Sequence, residues 1–120
     1  MNKITPTIKK LIKDNPMALA TVDTHGKPNV IAVAYVKVIN DNQLVITDNY
    51  MIQTRKNILA NKNVCMACWD KEWSGYKFVG QAQYHTKGEW KELVEEMLEN
   101  KDLAVKGAIL VTITEIIRLK

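Results

Sequence analysis

Arg55 and Lys56 carry positive charge at a place where a helix favours negative. The segment Thr54-Arg55-Lys56-Asn57 follows an apolar run, Leu44-Val45-Ile46-Thr47, and opens a short helical stretch through Ile58 and Leu59. A helix N-terminus bears roughly half a positive charge and exposes unpaired N–H groups. Two cations in that first turn are therefore locally unfavourable unless an anion binds there. Helix N-termini suit phosphate, and Thr54 offers either a cap for the helix or a hydroxyl donor to a phosphate oxygen. Two solvated cations at a helix start are the alternative reading.

Other chemistry-bearing residues point elsewhere. Cys65 and Cys68 form a Cys-x-x-Cys pair inside an expected strand over 64–70. Residues three apart on a strand face opposite sides, so these thiols are not placed to share a metal or close a disulfide. A zinc site also wants four ligands, and His25 and His85 lie in separate expected turns; no metal is expected. Two buried, inert cysteines in a reducing cytoplasm fit better. The chain holds no Gly-x-Ser-x-Gly elbow, no His-Glu-x-x-His, no Walker loop and no Gly-x-Gly-x-x-Gly. Without a side-chain nucleophile or metal cluster, a phosphate-type site implies a cofactor that carries the reaction while the protein binds and orients it.

The elements that must position such a site follow from periodicity. The chain has 120 residues, enough for one domain over 1–120 with a real core. Seventeen cations against 13 anions leave a net charge of +4, compatible with an anionic ligand and not demanding nucleic acid. No apolar run approaches the ~20 residues of a membrane span, and the first residues lack an apolar signal core, so a cytoplasmic protein is expected. Thr5-Pro6 reads as a cap and first helical position, with Ile8, Leu11 and Ile12 as the apolar stripe and Pro16 as the stop. Strands follow over 17–23, 29–38 and 44–47, with a turn at 24–28; they form a meander of the kind found in sandwiches and barrels. After a helix near 54–61 come strands over 64–70 and 76–84. Gly80 marks a bulge or a close approach. Thr86 to Glu89 reads as a capping box. Trp90, Leu93, Val94, Met97 and Leu98 then form one face of an amphipathic helix whose glutamates are the wet side. A last strand covers 109–119. The sum is six strands and three short helices.

In this order, the segment 18–23, Gly26-Lys27-Pro28, the long second strand, Leu44 to Thr47 and Thr54-Arg55-Lys56 resemble the pyridoxamine 5′-phosphate oxidase-related flavin-binding proteins, and the small single-domain FMN-binding proteins of similar length. The likeness runs from Pro16 to the last strand. It implies a mainly β fold with short helices, a six-stranded antiparallel split β-barrel, and a homodimer with FMN in the clefts between subunits. Carried over by position, it has Thr54, Arg55 and Lys56 hold the FMN phosphate, with Gln53 beside them. Arg suits bidentate contact and Lys adds a point charge. Thr47, Asp48 and Asn49 would line the ribityl chain and ring, and backbone groups of Val30, Ile31, Ala32 and Val33 would face the ring's polar edge.

The chain also departs from the pattern. The small FMN-binding proteins have Lys directly before the Thr, where this chain has Gln53. The oxidases place a flavin-contacting Gln at the start of the strand holding Gly80, where this chain reads Trp73-Ser74-Gly75. The oxidases also continue into a longer basic segment, whereas this chain ends at Ile116-Ile117-Arg118-Leu119-Lys120; pyridoxamine phosphate oxidase activity itself is not expected. Trp90 is assigned to packing, Trp69 to a subunit interface, and Trp73 is the candidate to cover a bound ring. The resemblance implies a small flavin-dependent oxidoreductase or electron carrier, with catalytic residues and substrate unassigned. A deazaflavin-dependent reductase keeps the same fold. A nucleic-acid-binding small barrel gains from a pI of about 9.1 but lacks the aromatics that single-strand binders interleave with basic strand residues.

Overall fold

Thr5 opens the first helix: its hydroxyl oxygen accepts the Ile8 N–H at 3.2 Å, and Pro6 takes the first helical position. In the computed structural model, which describes residues 2–119 apart from the side chain of Leu98, this helix is α1 (Pro6–Asp14). Ile8 and Ile12 are buried along one face. Asn15, which precedes Pro16, is extended (φ −135°, ψ 149°) and ends the helix.

Seven strands follow: β1 (Met17–Val22), β2 (Pro28–Val33), β3 (Val36–Val38), β4 (Gln43–Asp48), β5 (Asn63–Trp69), β6 (Gly75–His85) and β7 (Gly107–Arg118). All neighbours are antiparallel, in the order β2-β1-β5-β6-β7-β4-β3. The two edge strands, β2 and β3, are separated in sequence only by Ala34 and Tyr35. Three Cα steps span at most about 11 Å, whereas a flat sheet of this size would hold its edges about 29 Å apart. The sheet must therefore curl on itself, which makes the split barrel.

The strand count corrects the expectation of six. The span 29–38 is not one strand: it turns at Ala34 and Tyr35, where the Tyr35 carbonyl accepts the Thr47 N–H at 3.2 Å, and β3 then pairs with β4. Gly80 does sit at a bulge, with the β6–β7 register shifting between Val79 and Gly80.

The barrel interior is filled by Leu19, Leu44, Ile46, Met66, Phe78, Ile109 and Val111, all essentially inaccessible. A smaller cluster lies on the other side of β4, where Val45 packs with Val94, Met97 and Ala108. β4 is thus buried on both faces, which explains its uninterrupted apolar run. Val94 comes from α3 (Glu89–Glu96), which a 3₁₀ turn (Leu98–Asn100) follows. The expected capping box at Thr86 and Glu89 does not form. Gly88 (φ 90°) starts the helix without a side-chain cap, because only glycine adopts that backbone without strain. Of the expected apolar face, Trp90, Leu93, Val94 and Met97 pack as read; the Leu98 side chain lies outside the described residues. Helix α2 (Gln53–Ala60) starts at Ile52, again with no side-chain cap, so Thr54 is not the cap residue.

On β5, burial alternates: Val64, Met66 and Cys68 face the core, while Cys65 is half-buried on the opposite face. The two thiols do point apart, and only Cys68 is fully buried. Its sulfur lies 3.5 Å from the Leu11 carbonyl oxygen, and burial pushes the thiol up to about 11. Since the thiolate is the reactive form, iodoacetamide at pH 8 is expected to label native Cys65 and spare Cys68. Equal labelling of both in the folded protein would contradict this packing. Phe78→Ala should cost about 3–5 kcal/mol in urea unfolding, a large share of the roughly 5–15 kcal/mol typical of a domain.

Candidate functional site

The corner at Ala34 and Tyr35 opens a cleft of about 390 Å³. One wall is β2 and the corner itself, from Ile31 through Tyr35. Thr47 and Asn49, at and just past the end of β4, lie on its other side. The segment 50–52 and the start of α2, Gln53 and Thr54, complete it, with Asn29 at one end. The lining is mainly apolar with a few polar groups, the usual character of a small-molecule site.

Those polar groups are held from behind. The Asn29 amide donates to the Thr54 hydroxyl at 3.1 Å, and Thr54 is almost fully buried. The Gln53 amide donates to Asn57 Oδ1 at 2.8 Å, and the Asn57 amide donates to Thr21 Oγ1 at 2.9 Å. Asn100 donates to Thr47 Oγ1 and to the Val94 carbonyl, at 2.9 and 2.8 Å. With both Asn100 N–H groups used, its Oδ1 faces the Asn49 amide nitrogen at 3.4 Å. That fixes the Asn49 amide and leaves Asn49 Oδ1 buried without a partner among the described residues. A buried acceptor left unpaired is costly, so this atom calls for a donor from outside the described chain.

The expected site residues divide. Ile31, Ala32, Val33, Thr47, Asn49, Gln53 and Thr54 line the cleft. Val30 does not; it points away, 65% exposed, onto an apolar surface shared with Pro16, Met17, Ala18 and Trp69. Asp48 is also off the cleft, because strand alternation turns it inward. It is completely buried, accepting the Met51 N–H at 2.8 Å and the Tyr84 hydroxyl at 2.5 Å. Burial first, then the Asp48 carboxylate, pushes Tyr84 up to about 12, against the opposing pull of the nearby Arg55 charge. Arg55 is partly exposed beside Tyr84 and Lys56 is exposed; neither lines the cleft.

Trp73 does not cover the cleft of its own chain. It stacks on Trp69, ring centres 6.4 Å apart and planes 14° from parallel, and is 66% exposed. Both histidines lie away from the cleft, and among the described residues no group of three or more His, Cys, Asp or Glu could hold a metal. Among the described residues no helix is long and apolar enough to cross a membrane. Sequence reasoning missed Asn29, Tyr35, Asn100 and Tyr84. Only Tyr35 had a local signal, as an aromatic in the middle of an over-long strand.

The comparisons agree with this architecture. The family model described as pyridoxamine 5′-phosphate oxidase matches residues 4–119. An uncharacterized protein of Methanocaldococcus jannaschii is 34% identical over 122 residues, covering 98% of this chain and 82% of its own. Among solved structures, HupZ of Group A Streptococcus is 30% identical with a TM-score of 0.90, covering 97% of this chain and 94% of that one. An FMN-binding protein of Syntrophomonas wolfei, 18% identical, shares the fold at a TM-score of 0.83 over 94% of this chain and 84% of its own. Strand topology, the corner cleft and the match along nearly the whole sequence lead to one assignment: the chain belongs to the pyridoxamine 5′-phosphate oxidase family.

Proposed function

We propose that this protein binds FMN in the corner cleft as a homodimer and acts as a small flavin-dependent oxidoreductase or electron carrier. The observation that carries the reading is the cleft itself, with apolar walls, main-chain edges from β2, and the orphaned Asn49 Oδ1 at its side. These residues fit the group. A flat, largely apolar ring suits the Ile31–Val33 wall, and a ring or ribityl donor would satisfy Asn49. Thr47 and Gln53 offer further polar contacts. The start of α2, with Arg55 and Lys56, suits the phosphate. When bound, FMN would supply electron transfer at its ring; the protein's part is to bind, orient and exclude water.

The dimer reading rests on apolar exposure around the cleft. Tyr50 is 74% exposed and Ile52 64%, both on the cleft rim, and Val30 with Trp69, on which Trp73 stacks, forms a second exposed apolar patch. Contiguous exposed apolar residues of this kind mark interaction surfaces. A second copy would cover them and close the cleft.

Protein purified without added cofactor is expected to absorb in the flavin bands, to release FMN identified by mass, and to sediment as a dimer. Removing both cations in Arg55→Ala with Lys56→Ala should weaken FMN binding by about 3–6 kcal/mol, given roughly 1.5–3 kcal/mol per charge-assisted contact. Riboflavin, which lacks the phosphate, should be unaffected by the same change. Absence of FMN binding at high micromolar concentration would sink the proposal. Release of a deazaflavin would keep the cleft and replace the cofactor. Salt-dependent retention of oligonucleotides by a colourless protein would favour the nucleic-acid barrel instead.

A further inference from the structure

Asn100 is the hub of the polar wall beside the cleft. It closes the 3₁₀ turn and is only 2% exposed. Its backbone is tied on both sides: its N–H donates to the Met97 carbonyl at 2.9 Å, and its carbonyl accepts the Leu103 N–H at 3.1 Å. Its side-chain amide meets three groups: Thr47 Oγ1 at 2.9 Å, the Val94 carbonyl at 2.8 Å and the Asn49 amide at 3.4 Å.

An amide can be turned end for end, so the direction of these bonds needs a fixed point. Val94 supplies it. A main-chain carbonyl only accepts, so the Asn100 nitrogen faces Val94 and gives its second hydrogen to Thr47. Asn100 Oδ1 is left towards Asn49, which answers with its own nitrogen. The reverse arrangement would set two oxygens against each other. Asn49 Oδ1 is thereby left over as an acceptor, buried and without a partner among the described residues, on a side chain that is 7% exposed and lines the cleft.

Thr47 is set by the same hub. Its oxygen accepts from Asn100, which leaves its one hydrogen to give. The acceptor it meets inside the chain is the Met97 thioether at 4.0 Å, a weak one. Thr47 also lines the cleft and is 5% exposed. The wall therefore carries an acceptor on Asn49 and, two residues away, a donor on Thr47 whose hydrogen is poorly engaged.

We infer that Asn100 presets this pair, so that the cleft selects a ligand presenting a polar hydrogen beside an acceptor atom. The inference rests on the flavin reading given above and deepens it. A flavin offers that pattern in two places: the imide edge of its ring, where an N–H lies between two carbonyls, and the hydroxyls of its ribityl chain. Asn49 is then a specificity-determining residue, and Asn100, which does not line the cleft, is a positioning residue. A ligand without the hydrogen would leave Asn49 Oδ1 buried and unpaired, and a site built around a polar partner rejects such an analogue.

The test titrates the full chain, by flavin fluorescence, with FMN and two analogues. One analogue is methylated at the ring imide nitrogen. The other carries its phosphate on a plain five-carbon chain without the ribityl hydroxyls. The unaltered protein is expected to bind one of them about tenfold more weakly than FMN, the scale of one buried hydrogen bond left unmade. Loss with the methylated ring places the pair at the ring edge; loss with the plain chain places it at the ribityl group. Asn49→Leu, close in shape and without the amide, should bring that analogue and FMN to equal affinity. Asn100→Ala lets the Asn49 amide turn and should shrink the same difference several-fold. Asn49→Ser and Asn100→Ser are read instead where either variant fails to fold. A merely structural role of these residues would weaken all three ligands alike.

Equal binding of FMN and both analogues by the unaltered protein overturns the inference and leaves the flavin reading standing. So does a difference that persists in the Asn49 or the Asn100 variant, or a uniform loss of all three ligands in both. Failure of the unaltered protein to bind FMN overturns the flavin reading itself, and this inference with it.

Discussion

One constraint governs this molecule: the two edges of its sheet are neighbours in sequence. β2 and β3 cap opposite ends of a seven-stranded order with two residues between them. Backbone pairing along all seven strands can be kept only if the sheet curls until those edges meet. The meeting point is not a regular strand pair: β2 and β3 share no ladder, and the chain turns at Ala34 and Tyr35 from one edge to the other. The corner residues Ala34 and Tyr35 are both exposed, and the space they leave is the cleft. Barrel closure and the binding cleft are two consequences of the same two-residue link.

Around that link the interior changes character. Away from it the core is uninterrupted aliphatic and aromatic packing, from Leu19 to Phe78 to Val111. Beside it come Thr21, Thr47, Asp48, Asn49, Thr54, Asn57 and Asn100, which make up the buried polar set among the described residues. Each buried polar group is unfavourable without a partner. Here the partners come from distant segments, such as Asn100 on Thr47 and Asn57 on Thr21. These bonds stiffen the end of β4 and the start of α2, the two elements a ligand in the cleft would touch. Asn49 Oδ1 is the one cleft-lining atom in this set left unpaired. Within this set the partners come from inside the chain, and the one gap, at Asn49 Oδ1, lies at the cleft.

The parts of this arrangement that depend on nearby residues were legible in the sequence. Thr5 and Pro6 start α1 because cap and first-turn chemistry act within four residues. The alternation through Val64, Met66 and Cys68 reported its buried face directly. The end of β4 and the start of α2 could be named as a site because their residues are sequential. The corner at Ala34 was not legible, since 29–38 contains no glycine, proline or aspartate after Asn29 to announce a turn. Its cause is sheet closure, which no local window contains. Tyr84 and Asn100 were missed for a related reason: their partners lie 36 and 53 residues away, and register alone brings them together. Thr86 and Glu89 fitted a capping pattern, but the left-handed Gly88 between them set the helix start instead.

The charge anomaly at α2 takes its meaning from the other two helices. α1 has a capping threonine and a lysine in its last turn, and α3 has Glu89 and Glu92 in its first turn. Both arrangements oppose the helix dipole. α2 has neither a side-chain cap nor an acidic residue in its first turn, and it adds two cations there. Arg55 is partly exposed and Lys56 exposed, and neither is in an ion pair within 4.0 Å among the described residues. The two cations, together with the unpaired N–H groups that any helix leaves at its start, remain as net positive potential beside the cleft. An anion drawn to that end would complete for α2 what acidic side chains complete for α3.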